Sequence, residues 1–128
     1  MDITVTIQHR NEPVAVMHLQ GDIDASNFVQ IVDRAREIYQ NPARNLILDL
    51  SDVPGISSTG IAAIHKIALL YSGVSEAMTH PDLTHSSNAR KRVKLLKPQP
   101  AVDKALETAG LKLFFKVFHD LESALSSF

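Results

Sequence analysis

Three hydroxyl residues in a row, Ser57-Ser58-Thr59, stand between a Pro54-Gly55 break and Gly60, where a strongly apolar stretch begins. Upstream runs Leu46-Ile47-Leu48-Asp49-Leu50-Ser51-Asp52-Val53. A continuous apolar run of this length suits a strand buried on both faces, as in a parallel sheet. The hydroxyls then fall where a loop becomes a helix N-terminus, with unpaired N–H groups and a positive dipole end. Such a place holds a capping side chain, a bound anion or a covalently phosphorylated hydroxyl. A cap needs one hydroxyl, and three exceed that requirement. The pattern is not a P-loop, because no Lys follows Gly60 and the glycine spacing is wrong, and no Gly-x-Ser-x-Gly elbow is present.

Other groups are weaker candidates. Asp22, Asp24, Asp49 and Asp52 fall at strand ends or in the loops after them, where ligands of open α/β sheets gather. Asp also favours turns and caps by itself, and turns are the better reading here. His80 and His85 with Asp82 offer zinc two imidazoles and a carboxylate, short of a closed four-ligand site and on a segment without a rigid frame. No metal and no cofactor is expected. Arg90-Lys91-Arg92, with Lys94 and Lys97, reads first as a solvated strand edge. There is no Ser-His-Asp spacing, paired-carboxylate motif or glycine-rich cofactor fingerprint, so the expected protein is not an enzyme.

The elements that position these residues follow from hydrophobic periodicity. Ile3–Ile7 alternates with period two, and Val14–Leu19 follows a turn at Asn11-Glu12-Pro13, which suggests a hairpin. Gly21 to Ser26 carries breaker and N-cap chemistry. Phe28, Ile31, Val32, Ala35, Ile38 and Tyr39 then recur as on an amphipathic helix, stopped by Asn41-Pro42. After the Leu46–Leu50 strand, a second helix runs from Ser58 or Thr59 to about Ser72, apolar nearly all round except at His65 and Lys66. Residues 73–92 read as a long irregular loop. Val93–Leu96 reads as a strand, and a helix containing Val102, Ala105, Leu106 and Ala109 ends at Gly110. Leu113–Phe118 reads as a last strand, and Asp120 caps a short final helix. The expected order is β-β-α-β-α-β-α-β-α, an α/β fold whose mixed sheet of about four to five strands packs with about four helices.

Composition narrows the function classes. The 128 residues carry a formal net charge of −1, with 45% hydrophobic and 21% charged residues, no cysteine and no tryptophan. One domain over 1–128 with a proper core is expected. Near-neutral charge and scarce aromatics argue against nucleic acid as a partner. No apolar run reaches the about 18 residues of a membrane helix, and no signal pattern opens the chain. A cytoplasmic protein without membrane insertion is the expectation.

The residues Leu48-Asp49-Leu50-Ser51-Asp52-Val53, Ile56 and Ser58-Thr59-Gly60-Ile61 resemble the signature segment of STAS domains, the bacterial anti-sigma factor antagonists. Leu19-Gln20-Gly21-Asp22-Ile23-Asp24 resembles the second-strand segment of that family. Leu95-Leu96-Lys97-Pro98, Val102 to Leu111, and Phe115-Lys116-Val117-Phe118 through Ala124-Leu125 resemble its C-terminal half.

The resemblance implies that Ser58 is the phosphoacceptor of a partner switch, ahead of Ser57 and Thr59. It implies two partners: an anti-sigma factor that is a histidine-kinase-like serine kinase, and a metal-dependent phosphoserine phosphatase. Asp22, Asp24, Ser57, Ser58, Thr59, Ala62, His65, Lys66 and Leu69 would form the docking face. The chain departs from the family pattern at Ser57, where the family usually has Asp, and in the length of the Gly73–Arg92 connection. Two alternatives stand beside this reading. One is a STAS subunit of a larger assembly, such as a stress-signalling complex or a lipid transporter, without phospho-switching. The other is a sensor that binds a small molecule or nucleotide near Asp22, Asp24 and Ser58.

Overall fold

Parallel pairing of buried strands organises the molecule, a computed structural model that describes residues 1–41, 43–72 and 91–128. The elements are β1 (Asp2–His9), β2 (Pro13–Gln20), α1 (Phe28–Gln40), β3 (Asn45–Asp52), α2 (Ser58–Tyr71), β4 (Val93–Leu96), α3 (Pro100–Thr108), a 3-10 turn (Leu111–Leu113), β5 (Lys116–Phe118) and α4 (Leu121–Ser126). The five strands lie in chain order across one sheet. β1 and β2 pair antiparallel as a hairpin, and every later neighbour is parallel. The expected mixed α/β sheet and element order are those observed. The 73–92 connection, with His80, Asp82 and His85, lies outside the described residues apart from Lys91 and Arg92.

Alternation along each strand divides the core in two. Ala15, Met17 and Leu19 of β2, Leu46, Leu48 and Leu50 of β3, and Val93 and Leu95 of β4 face the layer of α1, α2 and α3. Val14 and Val16, Ile47 and Leu96 face the other way, under Ala124 and Leu125 of α4. β3 is therefore covered on both sides, which is why Leu46 to Leu48 carries no polar residue. Tyr71 joins two helices of the larger layer: its hydroxyl donates to the Ala35 carbonyl at 2.8 Å, and its ring meets Tyr39 edge-on. Burial pushes the Tyr71 hydroxyl well above its ordinary pKa.

Two expectations need correction. The last strand is Lys116–Phe118 and does not begin at Leu113. Gly110, at φ 76°, takes the left-handed turn that closes α3, and the chain then tightens into the 3-10 turn, leaving Leu113 72% exposed. Only after Phe115 enters the core does the backbone reach β4. At α1 the cap position is Asn27, whose side chain makes no capping bond; it instead accepts from the Asp24 N–H and donates to the Asp22 carbonyl.

Candidate functional site

Beyond an irregularity between His18 and Gln20, the segments after β2 and β3 keep tracking each other. Gly21 N–H donates to the Asp52 carbonyl at 3.0 Å, Ile23 N–H to that of Gly55 at 3.1 Å, and Ser57 N–H to that of Ile23 at 2.9 Å. Ile23 and Ile56 form an isolated parallel bridge. This ladder carries the Asp22–Asp24 loop alongside the segment that starts α2. A Cβ on Gly55 would lie 3.3 Å from Asp22 Oδ1, so the Asp22 carboxylate covers that glycine.

Ser57 is the helix cap. Its backbone is extended, and its Oγ accepts the Gly60 N–H at 3.1 Å. Ser58 and Thr59 follow in the first turn, both exposed, and no described residue bonds to the Ser58 hydroxyl. Gly60 is required by contact: a Cβ there would meet the Ile23 carbonyl oxygen at 2.4 Å and Ile56 Cγ1 at 2.7 Å. The first turn of α2 thus rests directly on the Ile23–Ile56 bridge, which holds Ser58 at the rim.

Further along α2, Ala63, Ile64, Ile67, Ala68 and Tyr71 are buried. Ala62 is exposed, and His65, Lys66 and Leu69 are half-buried. Ser58, Ala62, His65 and Leu69 recur at steps of four, three and four, so they share one stripe of the helix. Lys66 and Thr59 flank it on one side. The His65 ring meets Phe114 edge-on at 5.3 Å, which extends the stripe onto the turn after α3.

The acids serve mostly local geometry. Asp24 Oδ1 accepts from both the hydroxyl and the N–H of Ser26, and these bonds hold its carboxyl below the ordinary carboxylate range. Asp49 lies inside β3, where its Oδ1 accepts the Ser51 N–H. Asp52 sits 2.7 Å from His18 Nε2. No described hydrogen bond joins Asp22 or Asp24 to Ser58. The expected solvated edge at the basic cluster is not what forms: β4 is an interior strand between β3 and β5, Lys94 is buried in it, and Arg92 pairs with Glu12 and Asn45. Among the described residues no group of three or more His, Cys, Asp or Glu side chains is placed to hold a metal ion. Cavities of about 750 Å³ and about 380 Å³ lie beside β1 and α1 and beside Asn45 and Lys94, neither lined by Asp22, Asp24 or Ser58.

The structure therefore brings Asp22, Asp24 and Ser57 to Thr59 to one end of α2, and places Ala62, His65, Lys66 and Leu69 along it. Sequence reasoning missed the His18–Asp52 pair and the contact of Phe114 with His65. Parallel register between β2 and β3 sets up the first; the second was hidden because residues 113–118 read as one strand.

The STAS domain family model matches residues 4–74, more than half of the chain. The chain belongs to the STAS domain family. No curated protein matches it. Among solved structures, this STAS domain superimposes on unphosphorylated SpoIIAA, an anti-sigma factor antagonist, with a TM-score of 0.66 and 19% identity, over 96% of this chain and 94% of that one. An anti-sigma factor antagonist from Mycobacterium paratuberculosis gives 0.68 at 19% identity, over 98% and 93%. The phosphorylated form of SpoIIAA from Bacillus gives 0.61 at 17% identity, over 96% and 97%. Likeness at these identities is a likeness of fold. No helix among the described residues of this STAS domain is long and apolar enough to cross a membrane.

Proposed function

We propose that this STAS domain, acting as one unit over residues 1–128, is an anti-sigma factor antagonist. In this reading it binds an anti-sigma factor that is also a serine kinase, and phosphorylation of Ser58 controls the binding. The observation that carries the reading is the division of labour at the α2 N-terminus. Ser57 takes the capping bond, so the exposed Ser58 hydroxyl is spared from holding the helix together. A kinase can modify it without removing a structural bond.

A phosphate on Ser58 adds about −1.5 to −2 charge at neutral pH. The helix N-terminus tolerates that charge, so the fold persists in both states. The docking stripe of Ala62, His65 and Leu69 does not tolerate it equally. A partner fitted closely over that stripe would have to desolvate the phosphate beside the acids of the Asp22–Asp24 loop. Modification therefore weakens docking while leaving the domain folded. The likeness to SpoIIAA, solved in both phosphorylation states, supports the reading. The anti-sigma kinase consumes ATP to modify Ser58, and a metal-dependent phosphatase reverses the change.

Capture experiments from the source cells with wild-type, Ser58→Ala and Ser58→Asp baits, read by mass spectrometry, test this. Retention of a histidine-kinase-like protein by wild type and Ser58→Ala, and its loss from Ser58→Asp, is the expected result. The same fixed complex on all three baits would replace the switch with a constitutive assembly subunit.

A further inference from the structure

β1 is an edge strand with an unusual composition. Among the described residues it has a sheet neighbour on one side only, β2, and it is eight residues long. Edge strands are normally blunted by Lys, Pro, bulges or shortness. β5, at the opposite edge, has three residues and begins with Lys116. β1 has no such device: its register with β2 is continuous from Asp2 to His9, and nothing from Ile3 to Gln8 is charged or proline.

Ile3-Thr4-Val5-Thr6-Ile7 is also a palindrome. Antiparallel pairing of two copies about Val5 sets Ile3 opposite the other copy's Ile7, Thr4 opposite its Thr6, and Val5 opposite its Val5. From Ile3 to Ile7 each cross-strand pair then joins apolar with apolar or hydroxyl with hydroxyl, a self-complementary match across a two-fold axis. Ile3, Val5 and Ile7 are only partly buried in one copy, on the helix-layer side. The pairing would cover that apolar row together with the open backbone edge. Helix α1 lies beside the start of β1, where Gln30 bonds to the Met1 carbonyl, and it carries both signs in the pairs Arg34–Glu37 and Arg36–Asp33. Two α1 helices brought near each other meet no single-sign field.

We propose that this chain forms a two-fold dimer through antiparallel β1–β1 pairing, giving a continuous ten-stranded sheet. The phosphoacceptor proposed above stays available in both copies, because β2 and α1 separate the β1 edge from α2. The inference is independent of the switch at Ser58.

Sedimentation equilibrium of the full chain, with Thr4→Lys/Thr6→Lys and Thr4→Glu/Thr6→Glu variants, tests it. Thr4 and Thr6 are exposed, so these changes leave the core alone. Wild type is expected at twice the 14.1 kDa of the chain, each double variant at the single mass, and an equal mixture of the two variants at twice the mass again. Recovery in the mixture also shows that both variants are folded. Monomeric wild type overturns the proposal, as does a dimer that survives in the Lys variant or a mixture that stays monomeric.

Discussion

Ser57 Oγ accepts the Gly60 N–H at 3.1 Å, and through that bond the residue before the proposed phosphoacceptor holds the helix that presents it. The two neighbouring serines have separable duties, one structural and one exposed. That separation gives the first prediction. Ser57→Ala should cost about 1 kcal/mol of stability, the usual loss for an N-cap hydroxyl. Ser58→Ala should stay within about 0.5 kcal/mol of wild type, as an exposed position does. Urea unfolding of the two variants measures both, and equal losses would contradict the assignment of the cap.

Gly60→Ala tests the seating of α2. Its methyl would lie 2.4 Å from the Ile23 carbonyl oxygen, so the helix start or the Ile23–Ile56 bridge must move. A loss of about 1–3 kcal/mol is expected, as for overpacking elsewhere. The same shift displaces Ser58, so partner capture should fall with stability. Unfolding and capture measured on one preparation would show whether they move together.

Tyr71→Phe removes the bond from α2 to the Ala35 carbonyl and should cost about 1 kcal/mol. It should also change the response to alkali. The folded-state pKa of Tyr71 is raised above the ordinary 10.0, so its contribution is fully present below pH 10 and lost as pH rises beyond it, where the unfolded chain releases its proton. Wild type should therefore lose stability above about pH 10 more steeply than Tyr71→Phe. Thermal unfolding from pH 8 to pH 11 compares the two slopes.

Ala62→Arg probes the proposed docking stripe. Ala62 is exposed, so the fold should lose no more than about 0.5 kcal/mol. Bulk and charge at the centre of a closely fitted surface should weaken partner binding about tenfold, a change of about 1.4 kcal/mol. Titration of purified partner against wild type and variant reads the difference.

Much of this arrangement was legible in the residues themselves. The unbroken run at Leu46 to Leu48 marks the doubly covered strand, and the Phe28 to Tyr39 spacing marks the amphipathic helix. Pro54-Gly55 followed by hydroxyls marks the helix start. What stayed hidden depends on three-dimensional neighbours. Three adjacent hydroxyls leave open which one caps, and the answer comes from the extended backbone at Ser57. Gly60 reads as a helix opener, while its true constraint is a carbonyl more than thirty positions away at Ile23. The run Leu113 to Phe118 has a strand's composition, but Gly110 and the 3-10 turn after it set where pairing with β4 can begin. His18 finds Asp52 only through the register of β2 on β3.

The central claim is that Ser58 carries the switch, and the most direct test is to locate the phosphate. The partner captured from source cells would be incubated with ATP and with wild-type, Ser57→Ala or Ser58→Ala chain, and the modified residue mapped by tandem mass spectrometry. One phosphate on Ser58 in wild type and in Ser57→Ala, with none on Ser58→Ala, is the predicted result. Phosphate on Ser57 or Thr59, or continued modification of Ser58→Ala, would contradict it.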